Sequence, residues 1–326
     1  MINRRRLLKL TAAAAAAPSL ARPAIAQAGW PNRPVSIAIP FPPGGGADFI
    51  ARLVALKMTE VLGQQFIVES KAGAGGNLAA QYIARSAPDG YTMFLAGDHH
   101  ATNNHLNPNL TYDAVKDFEP VSLVVQYPIA MAIPANSPFK TLAEFIAKAK
   151  AEPGKLTYGS PGHGAVPHLS AELFVRAANI KMTNVPYRGA APGIQDLIPG
   201  RIDSFWNNVA PMLPLQKDGK LRMLAVTTAK RSPMVPDMPT IGETLPGYDV
   251  TGWYALFVPA KTPKDIIQKM YTGAKAVADD PVVRKRLEDQ AMTVVGSSPD
   301  ELGRFHKAEI AKWGPIIKEA GLVQKS

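Results

Sequence analysis

Two glycine-rich stretches carry the backbone groups best suited to chemistry in this sequence. Residues 158–168 (YGSPGHGAVPH) hold three glycines and two prolines, follow a short strand-like run and precede apolar residues at helical spacing. Such a turn brings unpaired N–H groups together at a helix N-terminus, where the helix dipole favours negative charge. The stretch therefore predicts either an anion site or an ordinary turn between a strand and a helix.

The second stretch, residues 40–46 (PFPPGGG), follows the β-branched run 35–39 and precedes a helical pattern over 47–58. Asp48 stands where an N-cap or first-turn carboxylate belongs. We expect a valine at Gly45 or Gly162 to weaken binding, because its side chain would block access to N–H groups or oppose a positive φ angle.

The sequence offers little support for catalysis or for a bound cofactor. No His-Glu-x-x-His pattern and no Walker sequence occurs, and residues 73–78 (GAGGNL) place Leu78 where a dinucleotide fingerprint needs a small residue. Tyr158 stands two residues before Ser160, so the Gly-x-Ser-x-Gly elbow of hydrolases is absent. We therefore predict no catalytic residues, no metal and no cofactor.

The polar and aromatic side chains near these stretches allow more than one role. His163 is interpreted as an N–H donor lining a cleft, and His168 as a helix-start residue bonded to nearby backbone. The adjacent His99 and His100 are expected to point in different directions from an extended loop. Trp206 is either a core residue at a strand end or an aromatic side chain that stacks on a ligand.

Two alternating series of strands and helices must position these residues. The series over 35–97 and 155–226 predict mostly parallel sheets whose loops gather at the strand C-terminal ends. The apolar runs within 120–133 and 252–258 are interpreted as crossing strands, after which the C-terminal helices return to the first unit. We predict an α/β protein of two lobes around a hinged cleft. Lobe 1 comprises 29–131 plus 251–326, and lobe 2 comprises 132–250.

The first 28 residues have the composition of an export signal rather than of a folded segment. A basic start with paired arginines precedes an alanine-rich run and small residues, so we expect a twin-arginine-like signal cleaved after about Ala28. A basic amphipathic helix or a retained membrane anchor are the alternatives.

Bulk composition excludes several classes of protein. The chain has 36 basic and 26 acidic residues, and five of the basic ones lie in the export segment, so the remaining excess is modest and does not indicate nucleic-acid binding. Cysteine is absent, which excludes disulfides and thiolate chemistry and is compatible with an oxidising periplasm.

The ordered motifs resemble the periplasmic substrate-binding proteins of tripartite tricarboxylate transporters, also called Bug-type receptors. The resemblance covers essentially the whole chain after the export segment. It rests on the motifs FPPGGGAD (41–48), AGAGG (72–76), APDGY (87–91), KDF (116–118), GKLTYGS (154–160), VPYRGAAP (185–192), AVTTAKRS (225–232), PDMPT (236–240) and KW (312–313).

This resemblance implies a two-lobed periplasmic-binding-protein fold, each lobe a mostly parallel sheet flanked by helices, joined by two crossing strands. It implies that a ligand carboxylate is held between residues 41–48 and 159–168, largely by backbone N–H groups and ordered water. The expected ligand-binding residues are Phe41, Gly44, Gly45, Gly46, Ala47, Asp48, His99, His100, Gly159, Ser160, Gly162, His163, Gly164, Ala165, His168, Arg188, Trp206 and Asn207.

The resemblance also implies a partner and a ligand class. The expected partner is a membrane permease of the tripartite tricarboxylate type, and we expect an exported periplasmic monomer that binds a small organic acid. Family members often have Asp where this chain has Asn207, and an amide suits an ammonium group less well. A dicarboxylate or an aromatic carboxylate is therefore favoured, with Trp206, His99 and His100 as specificity contacts.

Two other functions stay open on sequence alone. A sensor that presents its ligand to a signalling protein would share every cleft residue. An enzyme acting on a carboxylate would use Asp48 or His163 as acid or base, but the chain lacks a recognisable nucleophile and base pair.

Overall fold

A computed structural model describes residues 29–323. The predicted export segment, 1–28, lies outside the described residues. The strands are β1 Val35–Ile39, β2 Phe66–Ser70, β3 Thr92–Gly97, β4 Phe118–Pro134, β5 Thr157–Ser160, β6 Thr183–Pro186, β7 Ser204–Asn208, β8 Leu221–Val226, β9 Thr251–Pro259 and β10 Thr293–Val294. The α-helices are α1 Gly46–Leu62, α2 Asn77–Ala84, α3 His99–Leu106, α4 Leu142–Ala151, α5 Val166–Ala177, α6 Ala190–Leu197, α7 Leu213–Lys217, α8 Lys264–Asp279, α9 Pro281–Glu288 and α10 Pro299–Glu319.

The strands form a continuous hydrogen-bonded series in the order β2-β1-β3-β9-β4-β7-β5-β6, with β8 and β10 also paired to β4. Strands β1, β2 and β3 run parallel, as do β5, β6 and β7, whereas β4 and β9 run antiparallel to their neighbours. The two parallel groups confirm the predicted α/β architecture, because helical crossovers join parallel neighbours.

Strand β4 connects the two groups. Its first part pairs with β9 as far as Pro128, and its second part pairs with β7 and β8 from Ile129 onward. The sequence predicted two short runs here, and the structure has one long strand. The chain returns just before β9, where the Val250 N–H donates to Thr227 O at 2.8 Å. The two expected crossings are therefore present.

The C-terminal helices return to the first parallel group, as predicted. Helix α8 packs against α1, while α10 packs against α3 and β4. Helix α10 also reaches α5 of the second group, where Arg176 Nη1 lies 2.5 Å from Glu319 Oε2. One buried hydrophobic cluster spans both groups, with Phe94 and Trp313 at one end and Phe174 at the other.

Among residues 29–323, no helix is both long enough and apolar enough to cross a lipid bilayer.

Candidate functional site

Each parallel group has a point where the chain leaves neighbouring strands in opposite directions. In the first group β1 lies between β2 and β3, and in the second β5 lies between β6 and β7. Ligands of open α/β sheets bind in the crevice outside the strand C-termini at such switch points. The loops after β1 and β3 border one crevice, and the loops after β5 and β7 border the other.

The loop after β1 is held by a carboxylate in the first turn of α1. Gly44 has φ +88°, and its N–H donates to Asp48 Oδ2 at 3.1 Å. Arg52 binds both carboxylate oxygens at 3.0 Å. The pKa of Asp48 is lowered, first by the Arg52 hydrogen bond and then by the Gly44 N–H. Asp48 is thus the predicted first-turn carboxylate, and its oxygens are engaged within the loop and helix.

The start of α1 leaves donors available. Gly45 is the N-cap residue without a side-chain cap, and the first helical bond runs from Phe49 N to Gly45 O at 3.0 Å. The N–H groups of Gly46, Ala47 and Asp48 consequently have no acceptor within the helix. They lie at the positive end of the helix dipole, which suits an anionic oxygen.

The loop after β5 is held in the same way by a different group. Gly164 has φ +72°, and its N–H donates to His168 Nδ1 at 2.9 Å. Because Nδ1 accepts this bond, the imidazole proton is on Nε2, which lies 3.5 Å from Glu172 Oε1. The Tyr158 hydroxyl donates to the same Glu172 oxygen. The expectation that His168 bonds to nearby backbone is confirmed.

The second loop is shorter than predicted, because β5 extends through Ser160. Gly159 therefore lies in the strand, where a Cβ would come within 2.7 Å of the Tyr187 ring, so its role is in packing rather than in ligand contact. Ser160 is buried at the strand end. Ala165 is the N-cap residue of α5, again without a side-chain cap.

His163 and Arg188 project from neighbouring segments at this end of the sheet. Both side chains are exposed. The Gly189 N–H donates to Pro161 O at 2.9 Å, which ties the loop of Arg188 to the loop of His163. Partial desolvation of the ring and the nearby His168 lower the pKa of His163, so it is a neutral donor or acceptor at neutral pH.

The glycines with positive φ are not the two that the sequence singled out. Gly45 has φ −90°, and Gly162 is outside the left-handed region, whereas Gly44 and Gly164 adopt it. Nothing lies within 4 Å of a Cβ built on Gly44, but one on Gly164 would be 2.8 Å from Leu106 Cδ1 of α3. Of the two reasons given for the valine variants, the positive φ angle is therefore wrong at Gly45 and Gly162, and blocked access to N–H groups stays a prediction. The second loop also touches a helix that begins at the first switch point.

His99 and His100 begin α3 rather than standing in an extended loop, which corrects the prediction. His99 remains beside the first loop, with its ring 5.2 Å from Phe41 in an edge-on arrangement. Both ring nitrogens of His99 are buried without a partner in the described chain, and burial lowers its pKa to about 4. A neutral imidazole with a free donor and a free acceptor is suited to a ligand or a water molecule.

The prediction that His100 contacts ligand is wrong. Its side chain is fully buried, stacks on His306 at 4.9 Å and meets Phe118 and Phe257 edge-on. The helix causes this placement, because successive helical residues point in directions about 100° apart. His99 therefore stays near the loops while His100 enters the core.

Of the two roles left open for Trp206, the structure supports the core role. The residue lies within β7 opposite Met131, is fully buried, and packs on Phe174 at 5.2 Å. Asn207 follows it near the strand end, is 4% exposed, and its amide nitrogen has no partner among the described residues. A buried donor without an acceptor is costly, so Asn207 stays a candidate ligand contact.

Sequence reasoning missed Asp98 and the tyrosines beside it. Asp98 is the single residue between β3 and α3, at the N-cap position of α3 but without a side-chain cap hydrogen bond. The Tyr127 hydroxyl of β4 donates to Asp98 Oδ2 at 3.0 Å, and Tyr254 Oη lies 3.6 Å from a Cβ built on Gly46. An aspartate directly before a helix could have been recognised as a cap, but the polar α3 gave no apolar period to mark the helix.

The fold is that of a two-lobed periplasmic binding protein. BugD, a periplasmic binding protein of known structure, matches with a TM-score of 0.77 and 31% identity over 91% of this chain and all of that chain. A family model described as "Tripartite tricarboxylate transporter family receptor" matches residues 50–322. The chain therefore belongs to the tripartite tricarboxylate transporter receptor family, and the resemblance seen in its motifs is confirmed.

Two further relatives were solved with organic acids. R. palustris Rpa4515 with adipate has a TM-score of 0.79 and 36% identity, covering 90% of this chain and 98% of its own. MatC from Rhodopseudomonas palustris with bound malate has a TM-score of 0.76 and 33% identity, covering 88% of this chain and all of its own.

Proposed function

We propose that this protein is an extracytoplasmic receptor that captures a small dicarboxylate in the cleft between its lobes and delivers it to a tripartite tricarboxylate-type permease. One observation carries the proposal. Two positive-φ glycine loops stand at the two switch points, each before a helix whose first N–H groups have no acceptor within the helix. Two helix N-termini converging on one carboxylate give charge complementarity without an arginine clamp.

The contact between Gly164 and Leu106 supports a single site rather than two. It brings the loop after β5 against α3, the helix that starts beside the loop after β1. A ligand that touches both loops favours the closed arrangement, because only contacts made to both lobes distinguish closed from open. We place the lobes at 29–131 plus 251–326 and at 132–250, with hinge motion near Pro128 and Val250, where β4 changes partners and the chain returns.

A dicarboxylate is favoured over an aromatic acid. The burial of Trp206 in the core removes the side chain that was expected to stack on an aromatic ligand. Asn207 offers a neutral amide nitrogen rather than a negative charge, which disfavours an ammonium group. The acids found with the two R. palustris relatives, adipate and malate, are both dicarboxylates.

The proposal includes export, a monomeric state and the absence of turnover. Residues 1–28 would be removed on export to the periplasm. The family is a receptor family, and the carboxylate and the imidazole within the two loops, Asp48 and His168, are engaged in holding the backbone. A bound acid should consequently be recovered chemically unchanged after incubation with the protein.

A thermal-shift screen of aliphatic mono-, di- and tricarboxylates, aromatic carboxylates and amino acids tests the proposal. A ligand that binds only the folded state raises the melting temperature, because it increases the free energy of unfolding. At a ligand concentration of a hundred times the Kd this increase is about 2.7 kcal/mol. We expect dicarboxylates to give the largest rise and calorimetry to show one site. Tight binding of aspartate or glutamate with no response to dicarboxylates that lack an amino group would contradict the ligand class. Conversion of the acid would contradict the receptor role.

A further inference from the structure

The Asp98 carboxyl group lies at the first switch point and takes no part in the hydrogen bonds from Gly44 to Asp48 and from Gly164 to His168 that hold the two loops. It lies at the C-terminal end of β3, only partly buried, next to His99 at the start of α3. Its position across the crevice from the loop after β1 is where a strand-end residue meets a ligand. A carboxylate here would repel a second carboxylate, so its protonation state decides which acids fit.

The surroundings of Asp98 are polar and tied to the crossing strand. Tyr127 of β4 donates to Oδ2, and the rings of Tyr127 and Tyr254 lie 5.5 Å apart. The Tyr127 ring covers Gly252 of β9 so closely that a Cβ there would be 2.1 Å away. Asp98 is therefore linked through one hydrogen bond to the place where the chain crosses between lobes.

We propose that Asp98 is a specificity residue that binds the second carboxylate of the ligand by holding a proton between the two groups. The inference rests on the proposed function, and it assigns Asp98 as the residue that contacts the ligand carboxylate not held by the two loops. Asp98 enters the complex as the neutral acid, and its O–H donates to a ligand carboxylate oxygen. Binding at a pH where free Asp98 is ionised therefore takes up one proton from solution.

Two tyrosines and one histidine that face Asp98 keep a fixed charge near neutral pH. Burial raises the pKa of the Asp98 carboxyl to about 7, and the nearby Glu309 of α10 adds to the rise. Burial also raises the pKa of Tyr127 and Tyr254 above the usual range, so both stay protonated, while His99 with its pKa of about 4 stays neutral. The Glu309 carboxylate is held by Lys312 at 3.0 Å and by the Trp313 indole.

The sign of the linkage follows from these groups. If binding requires protonated Asp98, the affinity for the ligand is constant below the pKa that Asp98 has in the unliganded protein. Above that pKa the affinity falls tenfold per pH unit. From about pH 6 to about pH 8.5 the affinity for a dicarboxylate should fall by roughly thirtyfold. A monocarboxylate of equal length lacks the second carboxylate that would contact Asp98, so its affinity should depend little on pH.

Calorimetry over this pH range tests the proposal on the wild-type protein, Asp98→Asn and Asp89→Asn. The probes are the best dicarboxylate of the screen, adipate in the first instance, and the monocarboxylate of equal length, hexanoate for adipate. Measurements in buffers of different ionisation enthalpy report proton uptake. Asp89 lies before the other end of β3 and pairs with Arg33, so its variant is the matched control.

We expect the wild-type protein and Asp89→Asn to take up close to one proton above the pKa of Asp98. Asp98→Asn should bind the dicarboxylate with the same affinity at every pH, because the amide donates without titrating. Tyr127→Phe should move the loss of affinity to higher pH, since the lost hydroxyl favoured the ionised carboxyl. Tyr127→Phe tests the role of Asp98 if the Asp98→Asn variant does not fold.

The outcomes separate this inference from the proposed function. Dicarboxylate binding with no pH dependence in the wild-type protein, or an unchanged dependence in Asp98→Asn, would overturn the role of Asp98 and leave the receptor intact. A failure of every carboxylate to bind at any pH would overturn both.

Discussion

The loops after β1 and β5 are held by the same device made from different chemistry. In each, a glycine with positive φ donates its N–H to the side chain four residues later, from Gly44 to Asp48 and from Gly164 to His168. The first acceptor is a carboxylate paired with the exposed Arg52 side chain, and the second is an imidazole. In both loops the residue at this position is a hydrogen-bond acceptor, although the two residues differ in chemistry.

The two loops differ in what surrounds them. The glycine of the first loop faces open space, whereas the glycine of the second rests on Leu106 of α3. The first loop also carries a negative charge at its helix start, while the second carries a neutral ring. We therefore expect the second loop to set closure and the first to tune the charge presented to the ligand.

The largest effect is expected from Gly164→Ala compared with Gly44→Ala. Both variants place a Cβ in the left-handed region, which costs about 1–2 kcal/mol, but only the first also meets Leu106. Gly164→Ala should weaken dicarboxylate binding by well over tenfold, and Gly44→Ala by about tenfold or less. Titration calorimetry measures both.

Gly219→Ala is the control for backbone strain alone, because Gly219 has φ +67° in open space at the turn before β8. It should lower the melting temperature and leave affinity unchanged. Equal losses in Gly164→Ala and Gly44→Ala would remove the distinction between the loops.

The next effect concerns the acceptor in the second loop. His168→Phe keeps an aromatic ring but leaves the Gly164 N–H without its partner, which costs about 1–3 kcal/mol for a buried donor. His168→Asn supplies an amide oxygen at the place of Nδ1 and so imitates the first loop. Asn should restore more ligand affinity than Phe. Equal affinity of the two variants would show that the acceptor is unimportant.

A smaller effect of opposite sign is expected in the first loop. Asp48→Asn keeps an acceptor for the Gly44 N–H and removes a negative charge from the helix start. Affinity for a dianionic ligand should rise a few-fold at low salt and less at high salt, because screening weakens interactions between charges. Calorimetry at two salt concentrations measures this, and weaker binding at low salt would contradict the charge argument.

The smallest effect is expected from Arg52→Gln. The Arg52 side chain is 62% exposed, so solvent screens the pair and its contribution to stability is small. Arg52 holds the pKa of Asp48 below 3.8, so the stabilisation by Asp48 is present above that pH and is lost as pH falls through the lowered value. In the variant the loss should begin at higher pH, visible in the Gly44 amide signal by NMR. An unchanged midpoint would contradict the assignment.

The sequence predicted the alternating strands and helices and both glycine loops, because their apolar periods and turn residues are local signals. It misplaced His100 and left the role of Trp206 open, since burial depends on which face of α3 or β7 meets the core. It also chose Gly45 and Gly162 rather than Gly44 and Gly164. Which glycine of a loop adopts a positive φ angle depends on the path of the backbone, which the sequence does not reveal. Asp98 was missed because its partner Tyr127 comes from a distant strand.

The most direct test of the two-loop clamp is a crystal structure of the protein with a bound dicarboxylate near neutral pH. We predict one ligand carboxylate within hydrogen-bond distance, directly or through one water, of backbone N–H groups from both 44–48 and 161–166. A carboxylate bound by only one loop, or a ligand bound elsewhere on the protein, would contradict the account.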